Sequence, residues 1–293
     1  MRISRRFFAP ISAVIVAASF MAVEAPAAHA YSYPGYNSQP NCGTTVYKSD
    51  GTAWQCTFDD EFSGGSLNTR NWVVSTSFES GDTNGMYACY RNDPSNVSVS
   101  NGAVHLTVEK VSTPITCPGT IAPTYYAAGM ISTYHLFSQQ YGRFEARVRA
   151  QASTTPGLNE DFWMWPDNRY STINWPSSGE MDVSQQFSND PANTYPYLHY
   201  TSNDNGGPIL GTNYATCAAP RGVWNTYDLT WTSTTITISV NGQTCLVNTS
   251  GDPAFQKRYI INLTEALGLG SDAATSSTTL PATMDVDYVR VWK

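Results

Sequence analysis

The 293-residue chain carries a net charge of −7 at pH 7, with 13% charged, 41% hydrophobic and 13% aromatic residues. That length suffices for one large β domain without requiring two. Its acidity excludes nucleic acid and anionic membranes as natural partners, and sparse charge with abundant Tyr, Thr, Ser, Asn and Trp suits an extracellular β protein.

Residues 1–30 read as an export signal. Arg2, Arg5 and Arg6 make a basic start, Phe7 to Val23 is mostly apolar, and Ala28-His29-Ala30 is a small-x-small cleavage site. The apolar run is too short for a membrane anchor. Ser4-Arg5-Arg6-Phe7-Phe8 fits a twin-arginine signal and an ordinary secretory signal equally. Cleavage leaves a secreted chain expected to be a monomer with no membrane association. Residues 31–56 form an irregular N-terminal arm, Tyr/Ser/Pro/Gly-rich at its start, and residues 57–293 the main domain. Six cysteines, at 42, 56, 89, 117, 217 and 245, lie beyond the signal. An even number in an exported chain predicts disulfides, and sequence neighbours suggest 42–56, 89–117 and 217–245. No Cys/His spacing fits zinc.

Thr57 to Phe62 opens the regular structure. Val97 to Ser100 and Ala103 to Glu109 form a hairpin across Asn101-Gly102, a primed-turn signal. Ala128 to Thr133 and Gly142 to Arg149 follow as strands, then Phe162 to Trp165, Glu180 to Phe187 and Tyr197 to Thr201. Asn225 to Thr232, Thr235 to Val240 and Gln243 to Val247 make a further meander. Tyr259 to Leu263 and Met284 to Trp292 finish the chain. Helical periodicity is nearly absent, apart from one short turn at Pro253 to Lys257. Many short strands separated by turns predict an all-β sandwich or barrel.

One strand stands out. In Gly179-Glu180-Met181-Asp182-Val183-Ser184-Gln185-Gln186, the acids at i and i+2 share a face, with Met181 and Val183 opposite. A polar cleft calls for that inverted pattern. The ordered set Phe58-Asp-Asp-Glu-Phe62, Gly142-Arg-Phe-Glu145, Phe162-Trp-Met164, Trp175-Pro…Glu180-x-Asp182 and Val286-Asp-Tyr-Val-Arg-Val291 resembles glycoside hydrolase family 16. Its laminarinase-like branch, with exported actinobacterial members, is most similar, over about residues 57–293. The resemblance implies a β-jelly-roll of two curved antiparallel sheets, with a polysaccharide lying across the concave cleft. It further implies a retaining endo-enzyme, with β-1,3-glucan as the leading substrate and galactan as an alternative.

Retaining hydrolysis uses two carboxyl groups about 5–5.5 Å apart, one as nucleophile and one as acid then base. The family pattern is Glu-x-Asp-x-Glu, or Glu-x-Asp-x-x-Glu with a β-bulge that returns the last Glu to the acid face. Carried over by position, Glu180 is the nucleophile and Asp182 its helper. The acid/base position falls on Ser184 in the short form and on Gln185 in the long form used by laminarinase-like members. Gln cannot give up a proton, so this form is expected to be inactive or impaired. The amide has three readings: a substitution introduced to stop turnover, a natural carbohydrate-binding protein on the same scaffold, or a site where another acid takes over. Glu160-Asp161 is the acidic pair best placed for the last, although a solvated loop charge pair is the simpler expectation.

Trp163, Trp165, Tyr170 and Trp175 surround the proposed site, and Trp163 and Trp175 are the expected sugar platforms. Asn84 and Arg91 match the family's early cleft loop, His199 is expected beside the acid/base position, and Asn262 lies on a family-like cleft strand. Catalysis requires no cofactor. The resemblance also implies a structural calcium at Glu61, Gly102 and Asp287, with hard oxygen ligands, although Asp287 fits an ordinary surface Asp as well.

Overall fold

Alternating burial along nearly every segment dictates the architecture. In the computed structural model, which describes residues 40–120, 122–200 and 212–293, the chain forms strands with almost no helix. The signal predicted over 1–30, the arm up to residue 39 and Thr201 lie outside the described residues.

The strands run β1 (Cys56–Asp60), β2 (Val73–Val74), β3 (Glu79–Gly81), β4 (Tyr87–Tyr90), β5 (Val97–Ser100), β6 (Ala103–Ile115) and β7 (Thr124–Ala128). Next come β8 (Met130–Ser132), β9 (Gly142–Arg149), β10 (Leu158–Pro166), β11 (Glu180–Phe187), β12 (Asn193–Thr194), β13 (Tyr197–His199) and β14 (Cys217–Ala218). The last are β15 (Asn225–Trp231), β16 (Ile236–Val240), β17 (Gln243–Asn248), β18 (Tyr259–Leu267) and β19 (Ala282–Trp292). The turn expected near Pro253 is a single 3-10 turn, Pro253–Phe255.

Six strands, in the order β13-β11-β10-β18-β8-β2, make the sheet that carries the acidic strand. Eleven others form the second sheet, with β17-β16-β15-β9-β19-β6-β7-β4-β3 as its main path. Among the described residues every ladder is antiparallel except the short β4–β7 pair. The facing sides bury Phe162, Met164, Met181, Ile261 and Leu263 from the first sheet and Phe144, Tyr227, Leu229, Met284 and Val286 from the second. Each such side chain contributes roughly 1.5–3 kcal/mol by leaving water. The expected all-β sandwich is the observed one.

Two hairpins follow their turn signals. Asn101 and Gly102 have φ of 51° and 75°, and Asn241 and Gly242 have 51° and 77°, the left-handed values of a primed turn. The disulfides are Cys42–Cys56, Cys89–Cys117 and Cys217–Cys245, as neighbouring spacing suggested.

Two expectations need correction. The single strand expected over Ala128 to Thr133 is two strands in different sheets. β7 pairs with β6 and β4 in the large sheet, whereas β8 pairs with β18 and β2 in the other. Gly129 is the crossing point, and a Cβ there would lie 2.1 Å from the carbonyl oxygen of Asn96. The calcium set is not supported either. Arg290 chelates Glu61 at 2.7 and 2.8 Å, Arg147 pairs with Asp287 at 2.5 Å, and Gly102 sits in the β5–β6 turn. A guanidinium on each carboxylate leaves these residues a poor fit to a dication. Among the described residues no cluster of three or more His, Cys, Asp or Glu side chains could hold a metal.

The Gly129 crossing is testable. Asn96 O also accepts from Thr107 N at 2.9 Å and cannot retreat freely. Gly129→Ala is expected to cost about 1–3 kcal/mol as overpacking, read as a lower urea midpoint with an unchanged slope.

Candidate active site

The acidic strand is not a regular ladder. Opposite β10, Asp182 pairs with Trp163 and Ser184 with Phe162, so Val183 is an extra residue. This β-bulge puts Val183 and Ser184 both toward the interior, where Val183 joins the core and Ser184 Oγ lies 3.0 Å from Thr194 Oγ1. Alternation resets past it. Glu180, Asp182 and Gln185 line one cleft together, and Ser184, the short-form position, does not.

Hydrogen bonds tie this face together. Gln185 Nε2 donates to Asp182 Oδ2 at 3.1 Å, and His199 Nε2 lies 3.1 Å from the same oxygen. Trp175 Nε1 donates to Glu180 Oε2 at 2.8 Å. On β13, His199 is the register partner of Glu180, so its ring stands at the Glu180 end of the site as well as on Asp182.

β10 supplies the other wall. Leu158, Glu160, Phe162 and Met164 are buried, while Asn159, Asp161, Trp163 and Trp165 face the cleft side. The strand begins four residues before Phe162, so Glu160 and Asp161 are not a solvated loop pair. Glu160 turns into the interior and forms a two-pronged ion pair with buried Arg221. Asp161 turns the other way, is the register partner of Gln185, and accepts from Asn159 Nδ2 at 2.7 Å. Burial, then the carboxyl groups of Asp182, Glu160 and Glu180, push the Asp161 carboxyl well above the usual carboxylate range, against the Asn159 hydrogen bond.

The groove extends to both sides of Trp163. A cavity of ≈ 310 Å³ holds Asp161, Glu180, Asp182 and Gln185, with Phe78, Tyr90 and Thr264 around them. A second, of ≈ 530 Å³, runs past Trp163 to Trp165, Tyr134 and Asn262. Trp163 Nε1 donates to Thr264 Oγ1 at 2.9 Å, which fixes the indole edge. Asn262 pairs in register with Trp163 and lines the larger cavity, and its Nδ2 makes no hydrogen bond to the described residues. Trp175 is 46% exposed beside Glu180. Asn84 and Arg91 are exposed, and neither lines these cavities. Their neighbours Phe78, Glu79 and Tyr90 do. Sequence reasoning missed Phe78, Tyr90 and Thr264. It also missed the cleft-side placement of Asp161, which alternation counted back from Trp163 gives.

The family model for glycosyl hydrolases family 16 matches residues 84–290, well over half of the chain. The chain belongs to that family. It is 30% identical over 182 residues to a keratan-sulfate endo-1,4-beta-galactosidase of Sphingobacterium multivorum, covering 58% of this chain and 41% of the relative. It is 28% identical over 269 residues to glucan endo-1,3-beta-glucosidase A1 of Niallia circulans, covering 82% and 37%. The match thus spans about two-fifths of these curated relatives. The laminarinase catalytic domain of Thermotoga maritima MSB8 superposes with a TM-score of 0.69 at 20% identity, covering 82% of this chain and 98% of that one. This likeness supports the jelly-roll description of the sandwich.

Beneath the cleft, Glu265 is the register partner of Glu160 and fully buried, and neither of its oxygens is hydrogen-bonded to a described residue. Burial first, then the Glu160 charge, push its carboxyl well above the usual range. Glu160 keeps the guanidinium, so Glu265 keeps the proton. A folded-state pKa raised in this way contributes stability that is complete below the unfolded pKa of about 4.3 and is lost as pH rises toward the folded value, by up to ~1.4 kcal/mol per pH unit. Glu265→Gln removes that slope. The variant's advantage in urea midpoint over the parent is therefore expected to widen from about pH 5 to about pH 7.

Proposed function

We propose that this protein is a secreted retaining endo-β-glycosidase acting on a polysaccharide of the β-1,3-glucan, laminarin type, with Glu180 as nucleophile. The observation that carries this reading is the cleft face of β11, where the bulge lines up Glu180, Asp182 and residue 185 beside a groove with Trp163 and Trp175. The Glu180 carboxylate attacks the anomeric carbon. The Trp175 N–H orients it, and Asp182, shared by Gln185 and His199, fixes the polar row behind it. The indole faces of Trp163 and Trp175 suit the apolar faces of sugar rings, with Asn262 a hydrogen-bonding partner for hydroxyls. Carboxyl groups and water suffice for this chemistry, and family 16 hydrolases need no catalytic cofactor.

Secretion is supported by the basic and apolar start of residues 1–30, with three disulfides that suit an oxidising compartment. We take residues 57–293 as the catalytic domain, preceded by the arm at 31–56. The galactosidase relative favours a galactan-directed variant of the same reading. The amide of Gln185 favours a second one, a carbohydrate-binding protein on this scaffold. At that position the amide removes the family's proton source, a loss of about 10²–10⁴-fold unless another acid reaches the leaving oxygen.

A 2-deoxy-2-fluoro aryl β-glycoside of laminaribiose, whose leaving group needs little protonation, tests the nucleophile. Peptide mass spectrometry should find one sugar adduct, on Glu180, and Glu180→Ala should abolish it. Failure of the parent protein to form any adduct, alongside tight laminari-oligosaccharide binding, would select the binding-protein reading. Turnover of laminarin, mixed-linkage glucan and galactans then ranks the substrates.

A further inference from the structure

Gln185 leaves the site one proton short, and the wall across from it holds a carboxyl group the family pattern does not use. Asp161 and Gln185 are directly opposed on neighbouring strands, both on the cleft side. Opposed Cβ atoms lie about 4.5–5.5 Å apart, so the Asp161 carboxyl sits within a side chain's length of the position that the end of residue 185 occupies. Glu160, the other member of the acidic pair, faces the interior and is engaged by Arg221. Glu265 is sealed beneath the sheet. Of these three acids on β10 and β18, Asp161 is the one that lines the Glu180 cavity.

We propose that Asp161, on the strand beside Gln185, is the acid/base catalyst of this glycosidase. The inference rests on the retaining reading with Glu180 as nucleophile. In the first step a Glu180 oxygen bonds to the anomeric carbon while the bond from that carbon to the glycosidic oxygen breaks. The electron pair goes to the leaving oxygen, which takes the Asp161 proton and departs as a hydroxyl. In the second step the Asp161 carboxylate takes a proton from water as the water oxygen bonds to the anomeric carbon. The ester bond to Glu180 breaks, its electron pair returns to the carboxylate, and Asp161 is again an acid.

The surroundings suit both halves of this cycle. Asp161 shares its cavity with Glu180 and Asp182 of β11, Glu79 of β3 and Tyr90 of β4, and His199 of β13 sits on Asp182; Glu160, beside it on its own strand, and Glu265 on β18 lie on the opposite, interior face. Arg221, the cation of this cluster, lies on the interior side bound to Glu160, and burial with the carboxyls of Asp182 and Glu180 keeps the proton on Asp161 before reaction. Asn159 Nδ2 donates to Oδ1, which leaves Oδ2 to carry the proton. Once Glu180 becomes a neutral ester, one of the charges holding that proton disappears. Asp161 is then a weaker proton holder, as its turn as base requires.

Asp161→Asn should lower laminarin turnover by about 10²–10⁴-fold, the usual worth of general acid catalysis, while an activated aryl β-glycoside still places its sugar on Glu180. Azide, which needs no deprotonation, should speed turnover of the aryl substrate by this variant and give the β-glycosyl azide. Asp161→Glu should keep part of the activity. The parent's kcat/KM should fall as pH rises through loss of the Asp161 proton, a limb absent from Asp161→Asn. Gln185→Glu should gain less than about tenfold, since a donor is already present, and this arm does not depend on Asp161→Asn folding. The proposal is overturned if Asp161→Asn cleaves laminarin at the parent's rate, or if it loses both substrates alike without azide rescue. A gain of about 10²-fold or more from Gln185→Glu, or a parent that forms the Glu180 adduct yet leaves laminarin intact, overturns it as well. Absence of the adduct from the parent would instead bring down the glycosidase reading on which it rests.

Discussion

The site depends on one extra residue. A regular strand cannot present positions 180, 182 and 185 on one face, because a period of two sends an odd offset to the opposite side. Val183 resolves the conflict by bulging, so that Val183 and Ser184 both lie inward and the phase shifts by one. The core enforces the shift. Val183 is fully buried, Ser184 meets Thr194, and Gln186 beyond them donates to Ala219 O at 2.7 Å. Flattening the bulge with Val183 kept inward would expose Ser184 and bury Gln185 without its Asp182 partner, so packing on one side of the sheet sets the polar row on the other.

The second organising feature is the sorting of carboxyl groups by face. β10 and β18 carry Glu160, Asp161 and Glu265 on two adjacent rungs of the ladder. Glu160 and Glu265 go inward, where Arg221 binds Glu160, while Asp161 goes outward to the cleft. A buried ion pair with a second acid beside it contributes little net stability, since the desolvation of the charges offsets their attraction. Its effect is geometric. It fixes β10 so that the residue between the inward side chains must point at Gln185.

Much of the architecture was legible because its signals are local. The Asn-Gly turns, the neighbouring cysteine pairs and the two-residue alternation of β9, β15 and β19 all act within a few residues. The bulge was legible only through family resemblance, since Val183 looks like any other apolar strand residue. Three features resisted reading. Starting β10 at Phe162 made Asp161 look solvated, when counting back from Trp163 puts it on the indole's face. The break at Gly129 depends on Asn96, more than thirty residues earlier in the chain. The arginines that occupy Glu61 and Asp287 come from β19 and β9, and spacing in the sequence does not reveal them.

The indole of Trp175 has a consequence of its own. It is nearly half exposed, yet its N–H holds a Glu180 oxygen. In the open groove that bond competes with bulk water and its electrostatic worth is small. A sugar ring laid on the indole would shed that water and strengthen the same bond without moving an atom of the protein. The proposed nucleophile would then be held most firmly only while a ring covers its holder, so that the substrate itself would switch on the alignment of the group proposed to attack it.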